Sequence, residues 1–572
     1  MRKNAILRIR IITGAVLFLS LILIIRLYHI QIIHHDEYES RGERQYVHTV
    51  RDLYSRGTIF FSTKSGEKVS AATVQAGYLL SIDPSRITDE EDTFAQIHSV
   101  YPLERDTFLL RARNKARTYV EVASELSNAQ ADAIAALGLT GVQLYRDQWR
   151  YYPGNDLAAR TIGFVGYTAE SGSGLTGRYG LERYYEDILA RDQSRLSVNF
   201  FAEIFSNLGS VIFDTTEART GDVVTTIEPT VARMLDRELM NTQDTWDSTL
   251  TGGIIINPQT GAIYAMNVVP TFDLNNRSVD NISVFQNPLV EGVYEMGSII
   301  KALTVAAGID AGAITPSTTY YDAGSLTMNT FTISNYDGRA RGTVDMQAVL
   351  NQSLNTGVAF VVDEMGKDKF REYFKALKFG SETGIDLPNE THGLVANLDS
   401  PRDIEYATAS YGQGIALTPI ETVRALSALG NGGRLVTPHL AKLIEYQDGT
   451  VREVQYPEGE QVFSEETSVT ISRMLTEVVD VALKGGDVKL ERYSVAAKTG
   501  TAQIADPVNG GYYDDRYLHS FFGYFPSYDP EFLVFLYTVE PKEVRYASQT
   551  LTEPFMEITK FLINYYNVPP DR

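Results

Sequence analysis

The chain has 572 residues, enough for two or three folding units, and its hydrophobic content of 44% is ordinary for globular protein. The formal charge of −21 at pH 7 argues against a nucleic-acid-binding protein, which would carry a basic surface. With no cysteine, the chain can form neither a disulfide nor a thiolate metal site, and we expect no metal and no cofactor.

The first predicted element is a membrane anchor. The opening ten residues carry four basic side chains and are followed by an apolar run over residues 11–25. Because fifteen helical residues would cover only about 22 Å of a roughly 30 Å hydrocarbon core, we place the span at residues 11–33, with Arg26 reaching the outer interface. A cleaved signal peptide is the alternative, but no small-residue cleavage site follows the run. The basic start predicts a cytoplasmic N-terminus, residues 1–10.

Residues 34–221 are predicted to form a mixed α/β accessory domain. Extended segments such as residues 78–82 alternate with polar helical ones such as residues 120–137. Ser65 and Lys68 in this region have the spacing of a nucleophile and its base. We reject this pair, because it lies in a turn between extended segments, where nothing forces the two side chains together.

Residues 222–572 are predicted to form the catalytic domain, an α+β fold in which helices flank a five-stranded antiparallel sheet. The segment 298–437 is predicted to be mostly helical, and apolar residues at helical spacing predict a terminal helix over residues 552–565. The five strands are predicted at residues 252–257, 262–268, 493–504, 519–525 and 532–540.

A nucleophile and a base are predicted at the start of a helix. Ser298 and Lys301 are three residues apart, so their side chains share one helix face. The amine can accept the serine proton only if burial lowers its pKa, and the apolar residues 299–300 supply such surroundings. The helix N-terminus would favour an oxyanion beside Ser298. The spacing alone is weak, since it occurs by chance about once in a chain of this length.

A second motif, residues 353–355, follows in the order that serine acyltransfer of this type requires. Ser353 could relay a proton between Lys301 and a leaving amine, and Asn355 could bond the lysine and a substrate amide. In isolation Ser-x-Asn is usually a helix cap or a turn. The order of the motifs after a well-placed serine and lysine therefore carries the prediction.

A third motif, residues 498–501, occurs once in the chain. Lys498 offers a fixed cation, and two threonine hydroxyls beside it could help to hold a substrate carboxylate. The strand could supply a second oxyanion donor, and the glycine would let substrate come close. The residues predicted to bind substrate are Thr499, Gly500 and Thr501.

With these motifs the chain resembles a class B penicillin-binding protein, a monofunctional cell-wall transpeptidase of bacteria. The resemblance extends from the anchor nearly to the C-terminus. Its pedestal motifs are residues 56–59, 150–153 and 180–182, and its transpeptidase motifs are residues 257–261, 270–273, 383–388 and 412–414.

The resemblance implies an enzyme in which Ser298 attacks the D-Ala-D-Ala end of a peptidoglycan stem peptide and forms an acyl-enzyme that a neighbouring stem's amine resolves. It implies that Lys301 is the base and that the backbone N–H groups of Ser298 and Thr501 form the oxyanion hole. β-Lactams are expected to acylate the same serine. The implied architecture is the transpeptidase fold after a pedestal, or dimerisation-like, domain at residues 34–221.

The resemblance also implies location and partners. We expect a single-pass protein of the inner or plasma membrane, with the catalytic domain on the extracytoplasmic side. The expected partners are a SEDS-family membrane glycosyltransferase, which polymerises the glycan, and divisome proteins. Chain length, the pedestal motifs and the lack of an evident appended C-terminal module favour the septal type over the elongation type.

The sequence departs from the family pattern at three places. Met296 stands where the family often has proline, Ala497 where it commonly has glycine, and residues 60–62 replace the usual Asp-Arg. None of these changes removes a catalytic group. A β-lactam-hydrolysing or sensing enzyme remains an alternative, although an anchor with a long pedestal argues against a compact secreted hydrolase. A division scaffold with an idle site is a second alternative.

Overall fold

The predicted anchor at residues 11–33 lies outside the part of the chain that the computed structural model describes. Within that part, no helix combines the length and the apolar character needed to cross a bilayer. The described residues are 55–167, 175–191, 220–277, 281–328 and 330–572.

The chain divides into two compact units. One contains residues 74–150 and adjoining segments, and the other contains residues 57–73, 151–190 and 214–572. In the first unit, ten buried apolar residues, among them Leu80, Phe108 and Ile134, form a separate core. The second unit thus combines the C-terminal part of the chain with two segments that precede residue 191.

The described residues contain eighteen strands, from Ile59 to Val539. In chain order they are β1 Ile59–Ser62, β2 Lys68–Ile82, β3 Val120–Leu126, β4 Val142–Tyr151, β5 Val165–Tyr167, β6 Leu175–Gly177, β7 Gly221–Thr225, β8 Leu250–Ile256, β9 Ile263–Val269, β10 Thr319–Asp322, β11 Ser325–Met328, β12 Phe331–Ser334, β13 Gly342–Asp345, β14 Ala441–Tyr446, β15 Val451–Glu453, β16 Ala496–Ala505, β17 Tyr512–Phe525 and β18 Phe532–Val539.

Most of the helices among the described residues lie in the second unit. In chain order the α-helices are α1 Glu90–His98, α2 Arg105–Ala112, α3 Asn128–Ala136, α4 Ala159–Ile162, α5 Gly180–Tyr184, α6 Glu186–Leu189, α7 Pro229–Trp246, α8 Pro288–Glu291, α9 Ile300–Asp310, α10 Met346–Asn351, α11 Asn355–Met365, α12 Lys367–Ala376, α13 Asp403–Ala409, α14 Pro419–Ser427, α15 Glu465–Glu477, α16 Ala547–Thr550 and α17 Thr552–Tyr566.

The central sheet of the second unit has the strand order β16-β17-β18-β8-β9, and every neighbouring pair is antiparallel. This confirms the predicted five-stranded antiparallel sheet. The predicted terminal helix is also confirmed, as α17. Its Phe555 packs against Phe521 of β17, and the two ring centroids are 4.5 Å apart. The sheet and α17 both contribute buried residues to the same hydrophobic core.

Two predicted helical segments are partly strands. Residues 120–126 form β3, because the alternating pattern and β-branched valines of this stretch suit a strand. The helix begins only after Ser127, whose side chain makes a capping box with Gln130. The segment 298–437 likewise contains the short strands β10 to β13. In β10 exposed and buried residues alternate, as in a strand with one face in the core.

The helix α9 is a core helix. Its residues from Ile300 to Gly308 are all buried, which agrees with a helix that is apolar on every side. A 3₁₀ turn, Gly297–Ile299, leads directly into it. The predicted helix at Ser298 therefore exists, and its first turn is of the tighter 3₁₀ kind.

Candidate active site

The nucleophile candidate lies on a tight turn held by two other segments. Gly297 has φ +65°, in the left-handed region that favours glycine, and its N–H donates to the Gly412 carbonyl at 3.1 Å. A Cβ built at Gly297 would come within 2.9 Å of the Thr501 carbonyl oxygen. Glycine is therefore required before Ser298, because the third-motif strand passes directly against this turn.

Lys301 is fully buried, and its Nζ donates to the Ser353 carbonyl at 2.5 Å and to the Ser353 hydroxyl at 3.1 Å. Burial lowers the pKa of this amine far below its usual value, and the neighbouring Lys498 lowers it further. In the described part of the chain these bonds to Ser353 are the hydrogen bonds of Lys301, and none is made to Ser298. The structure thus brings Lys301 to the second motif, and the predicted contact with Ser298 stays a prediction.

Ser353 has φ +55°, a left-handed conformation that costs a non-glycine residue on the order of 1 kcal/mol. This conformation places its carbonyl against the Lys301 amine. Asn355 begins α11, and its Nδ2 donates to the Ser334 carbonyl at 2.8 Å. The second motif is therefore fixed between the lysine and the end of β12.

The third motif forms part of β16, paired with β17. Lys498 is buried, burial lowers its pKa to about 8, and its Nζ donates to the Thr499 carbonyl at 3.2 Å. A Cβ at Gly500 would lie 2.3 Å from the Ser520 hydroxyl and 2.7 Å from the Met296 carbonyl. The glycine therefore lets β16 approach the nucleophile turn, whereas the sequence had suggested that it lets substrate approach.

The three motifs meet around one small region. Lys301 joins the first motif to the second, and the turn at Gly297 meets the third motif at Thr501. Burial and the neighbouring Lys498 both shift the pKa of Lys301 downward, towards the neutral amine, whereas Lys498, with a pKa of about 8, remains largely a cation at neutral pH. The three motifs therefore place two buried lysines close to the turn that carries Ser298.

Glu295 is a further site residue that the sequence analysis missed. Its Oε1 accepts from the Gly414 N–H at 2.9 Å and from the Tyr512 hydroxyl at 3.1 Å. Its Oε2 is buried and has no hydrogen-bond partner among the described residues. Burial raises the pKa of Glu295 to about 6. In the sequence, only its position three residues before Ser298 could have drawn attention to Glu295. The hydrogen-bond partners of Glu295 are more than one hundred residues away in the chain, so the sequence does not reveal them.

Glu295→Gln is expected to change how stability depends on pH. Folding raises the carboxyl pKa from 4.5 to about 6, so the wild-type chain loses stability as pH rises through this window. The neutral amide has no such loss. The variant should therefore gain stability over wild type between pH 4.5 and pH 7.5, measured as the difference in unfolding free energy. Glu553→Gln, on an exposed position of α17, is the control, and a pH-independent difference for Glu295→Gln would contradict the expectation.

An aromatic contact joins two loops beside the second and third motifs. The rings of Tyr336 and Tyr546 meet edge to face, with centroids 5.8 Å apart. Tyr336 follows closely after Ser334, which binds Asn355, and Tyr546 precedes Ala547, whose N–H donates to the Thr501 hydroxyl at 3.1 Å. The two rings therefore connect the segment that binds Asn355 with the segment that binds the Thr501 hydroxyl.

Known protein families match both parts of the chain. Residues 251–560 match the penicillin binding protein transpeptidase domain, and residues 55–203 match the penicillin-binding protein dimerisation domain. The first match includes all three motifs.

Individual relatives cover most of the chain. Stage V sporulation protein D of Bacillus subtilis is 30% identical over 88% of this chain and 78% of its own length. Penicillin-binding protein PbpB of Mycolicibacterium smegmatis is 27% identical over 81% of this chain and 72% of its own length. Peptidoglycan D,D-transpeptidase FtsI of Buchnera aphidicola is 23% identical over 80% of this chain and 77% of its own length.

Solved structures share the fold. Penicillin-binding protein 2X of Streptococcus thermophilus has a TM-score of 0.70 at 20% identity, covering 90% of this chain and 80% of that one. Penicillin-binding protein 3 of Mycobacterium tuberculosis, solved with aztreonam, has a TM-score of 0.67 at 21% identity, covering 91% of this chain and 97% of that one. The likeness covers both compact units.

Proposed function

The chain belongs to the class B penicillin-binding proteins and is a peptidoglycan D,D-transpeptidase, and on this premise we propose that its reaction runs through an acyl-enzyme on Ser298. Ser298 attacks the carbonyl carbon between the two terminal D-Ala residues of a stem peptide. The C–N bond breaks, and the last D-Ala leaves as its amine takes up a proton. An amine of a neighbouring stem then attacks the ester, forms the cross-link and releases Ser298.

The buried amine of Lys301 is the observation that carries this proposal. A neutral amine has two N–H bonds and one lone pair, and the two donor contacts of Lys301 go to Ser353. Its lone pair is therefore left to accept the Ser298 proton during attack. The Ser353 hydroxyl, bonded to the same amine, can pass that proton to the leaving D-Ala.

The third motif is proposed to bind the substrate's terminal carboxylate. Lys498 supplies the positive charge, and Thr499 and Thr501 supply hydroxyl donors on the same strand. The backbone N–H groups of Ser298 and Thr501 form the oxyanion hole in this proposal, and the close approach of Gly297, the neighbour of Ser298, to Thr501 supports it.

The proposal is tested by following one β-lactam through acylation and release. The full-length protein in detergent is mixed with benzylpenicillin, and intact mass spectrometry with peptide mapping is expected to find a penicilloyl adduct on Ser298. Slow loss of that adduct supports the transpeptidase, because the site would favour amines over water as acceptors. Rapid turnover of penicillin would favour the hydrolase alternative. An adduct on another residue would contradict the assignment of the nucleophile.

Location and partners are proposed separately. We propose that residues 11–33 anchor the chain, that residues 34–221 act as its pedestal and that the catalytic domain works outside the membrane. We further propose a role in septal wall synthesis, beside a SEDS-family glycosyltransferase and divisome proteins. A fluorescent fusion that collects at the septum would support this role. Uniform sidewall signal would favour the elongation type, and a Ser298→Ala chain that still supports division would favour a scaffold.

A further inference from the structure

His519 is a buried histidine that lies directly opposite Thr501 in the register of β16 and β17. Its Nε2 lies 3.0 Å from the Arg545 carbonyl oxygen, and its Nδ1 lies 3.0 Å from the Thr550 hydroxyl oxygen. One imidazole ring thus holds both ends of the segment from Arg545 to Thr550, which connects β18 to α17.

The chemistry of these contacts fixes the proton on the ring. A carbonyl oxygen can only accept, so Nε2 of His519 carries the hydrogen that bonds Arg545. In the neutral ring Nδ1 is then an acceptor, and the Thr550 hydroxyl shares its one hydrogen between Nδ1, at 3.0 Å, and the Ala547 carbonyl, at 3.2 Å. Burial lowers the pKa of His519 to about 4, so the ring remains neutral at physiological pH.

The held segment reaches the third motif through one backbone group. The Ala547 N–H, between the two held ends, donates to the Thr501 hydroxyl oxygen at 3.1 Å. Because this oxygen already accepts from a backbone N–H, its own hydrogen is directed elsewhere and can be donated. The Ala547 N–H therefore directs the Thr501 hydroxyl hydrogen away from Ala547.

We propose that His519 is a positioning residue for substrate binding: by holding the segment from Arg545 to Thr550, it keeps the Thr501 hydroxyl oriented as a donor to the substrate's terminal carboxylate. This inference rests on the proposed function, in which Thr501 binds that carboxylate. It adds a residue that contacts no substrate itself. The histidine acts through Ala547, and its loss leaves the nucleophile, its base and Lys498 in place.

The test compares two ligands that differ only in the carboxylate, benzylpenicillin and its methyl ester. His519→Leu is expected to lower the acylation rate constant of the full-length protein for benzylpenicillin about tenfold, because one hydrogen bond to a charged group is weakened. The rate with the ester should change less than about twofold, since the ester has no charged group for Thr501 to bind. His519→Gln, whose amide can still donate to the Arg545 carbonyl, should restore part of the loss.

The matched control is Thr538→Val. Thr538 is the neighbour of His519 on β18, and its hydroxyl makes a buried bond of 2.9 Å to Thr251, away from the held segment. The control should lose stability and keep the ratio of the two rates. If His519→Leu does not fold, Thr550→Val removes the other held end and is expected to shift the ratio in the same direction.

The outcomes separate two hypotheses: that the third motif binds the substrate carboxylate, and that His519 positions Thr501 for this binding. If wild type reacts equally with acid and ester, carboxylate binding by the third motif is wrong. If wild type prefers the acid and the folded variants of His519 or Thr550 lower both rates equally, as a simple loss of stability would, then the positioning role is wrong. A selective loss with the acid supports it.

Discussion

Ser298→Ala is expected to abolish covalent labelling by a fluorescent penicillin, with a loss of at least about a thousandfold in the acylation rate constant. The variant removes only the hydroxyl oxygen that forms the ester in the proposed mechanism. Its position on a 3₁₀ turn next to the buried Lys301 leaves no second nucleophile in the motif. Gel fluorescence after incubation with the label, with intact mass as a second readout, measures the loss.

The control for this variant is Ser65→Ala, because Ser65 and Lys68 have the same sequence spacing. Ser65 is exposed in the turn between β1 and β2, and Lys68 forms an ion pair of 2.6 Å with Glu445. Labelling should therefore be unchanged in Ser65→Ala. If Ser298→Ala still forms the adduct, another residue is the nucleophile, and the assignment from the motifs is wrong.

Lys301→Met is expected to lower the acylation rate constant by about a thousandfold, the range that general-base catalysis commonly supplies. Methionine keeps much of the side-chain volume and removes the amine that accepts the Ser298 proton in the proposed mechanism. Stopped-flow or quenched-flow acylation by benzylpenicillin measures the change. A rate within about tenfold of wild type would show that another group is the base.

The same variant should also remove a pH-dependent part of the stability. Folding lowers the pKa of Lys301 well below its unfolded value of about 10.4, so the unfolded chain binds more protons over the interval between them. Wild-type stability therefore rises with pH in this window, relative to the variant, and the gain is complete above the unfolded pKa. Denaturant unfolding at pH 7 and pH 9.5 measures this difference. Lys301→Arg, which cannot become neutral, is the control and should be inactive at both pH values.

The sheet was predictable because its strands are long apolar runs separated by turn residues. Residues 532–540, for example, were predicted from sequence and form β18, Phe532–Val539. Short strands such as β10 and β12 were missed, since four residues of which at least half are exposed give a weak pattern. The strand at residues 120–126 was missed because its alternation was read together with the helix that follows.

The site was predictable as three motifs and much less so as a set of contacts. Spacing alone linked Ser298 to Lys301, yet the lysine's hydrogen bonds go to Ser353, 52 residues along the chain. Gly500 illustrates the same limit, because its neighbours at Met296 and Ser520 come from other segments. Contacts between distant segments depend on the tertiary fold, and the sequence pattern of one segment does not encode them.

The pairing of β8 with β18 has a consequence for how the enzyme is made. β8 ends at Ile256, and the partner of Ile256 on β18 is Leu533, so this strand pair joins residues that are 277 positions apart (533 − 256) in the chain. A ribosome adding about 5–20 residues per second needs on the order of 15–60 s to produce the second segment after the first. During that interval one edge of β8 has no native partner, and long-range pairing of this kind folds slowly. We therefore expect the nascent chain to lack its complete five-stranded sheet until the last strand has been synthesised.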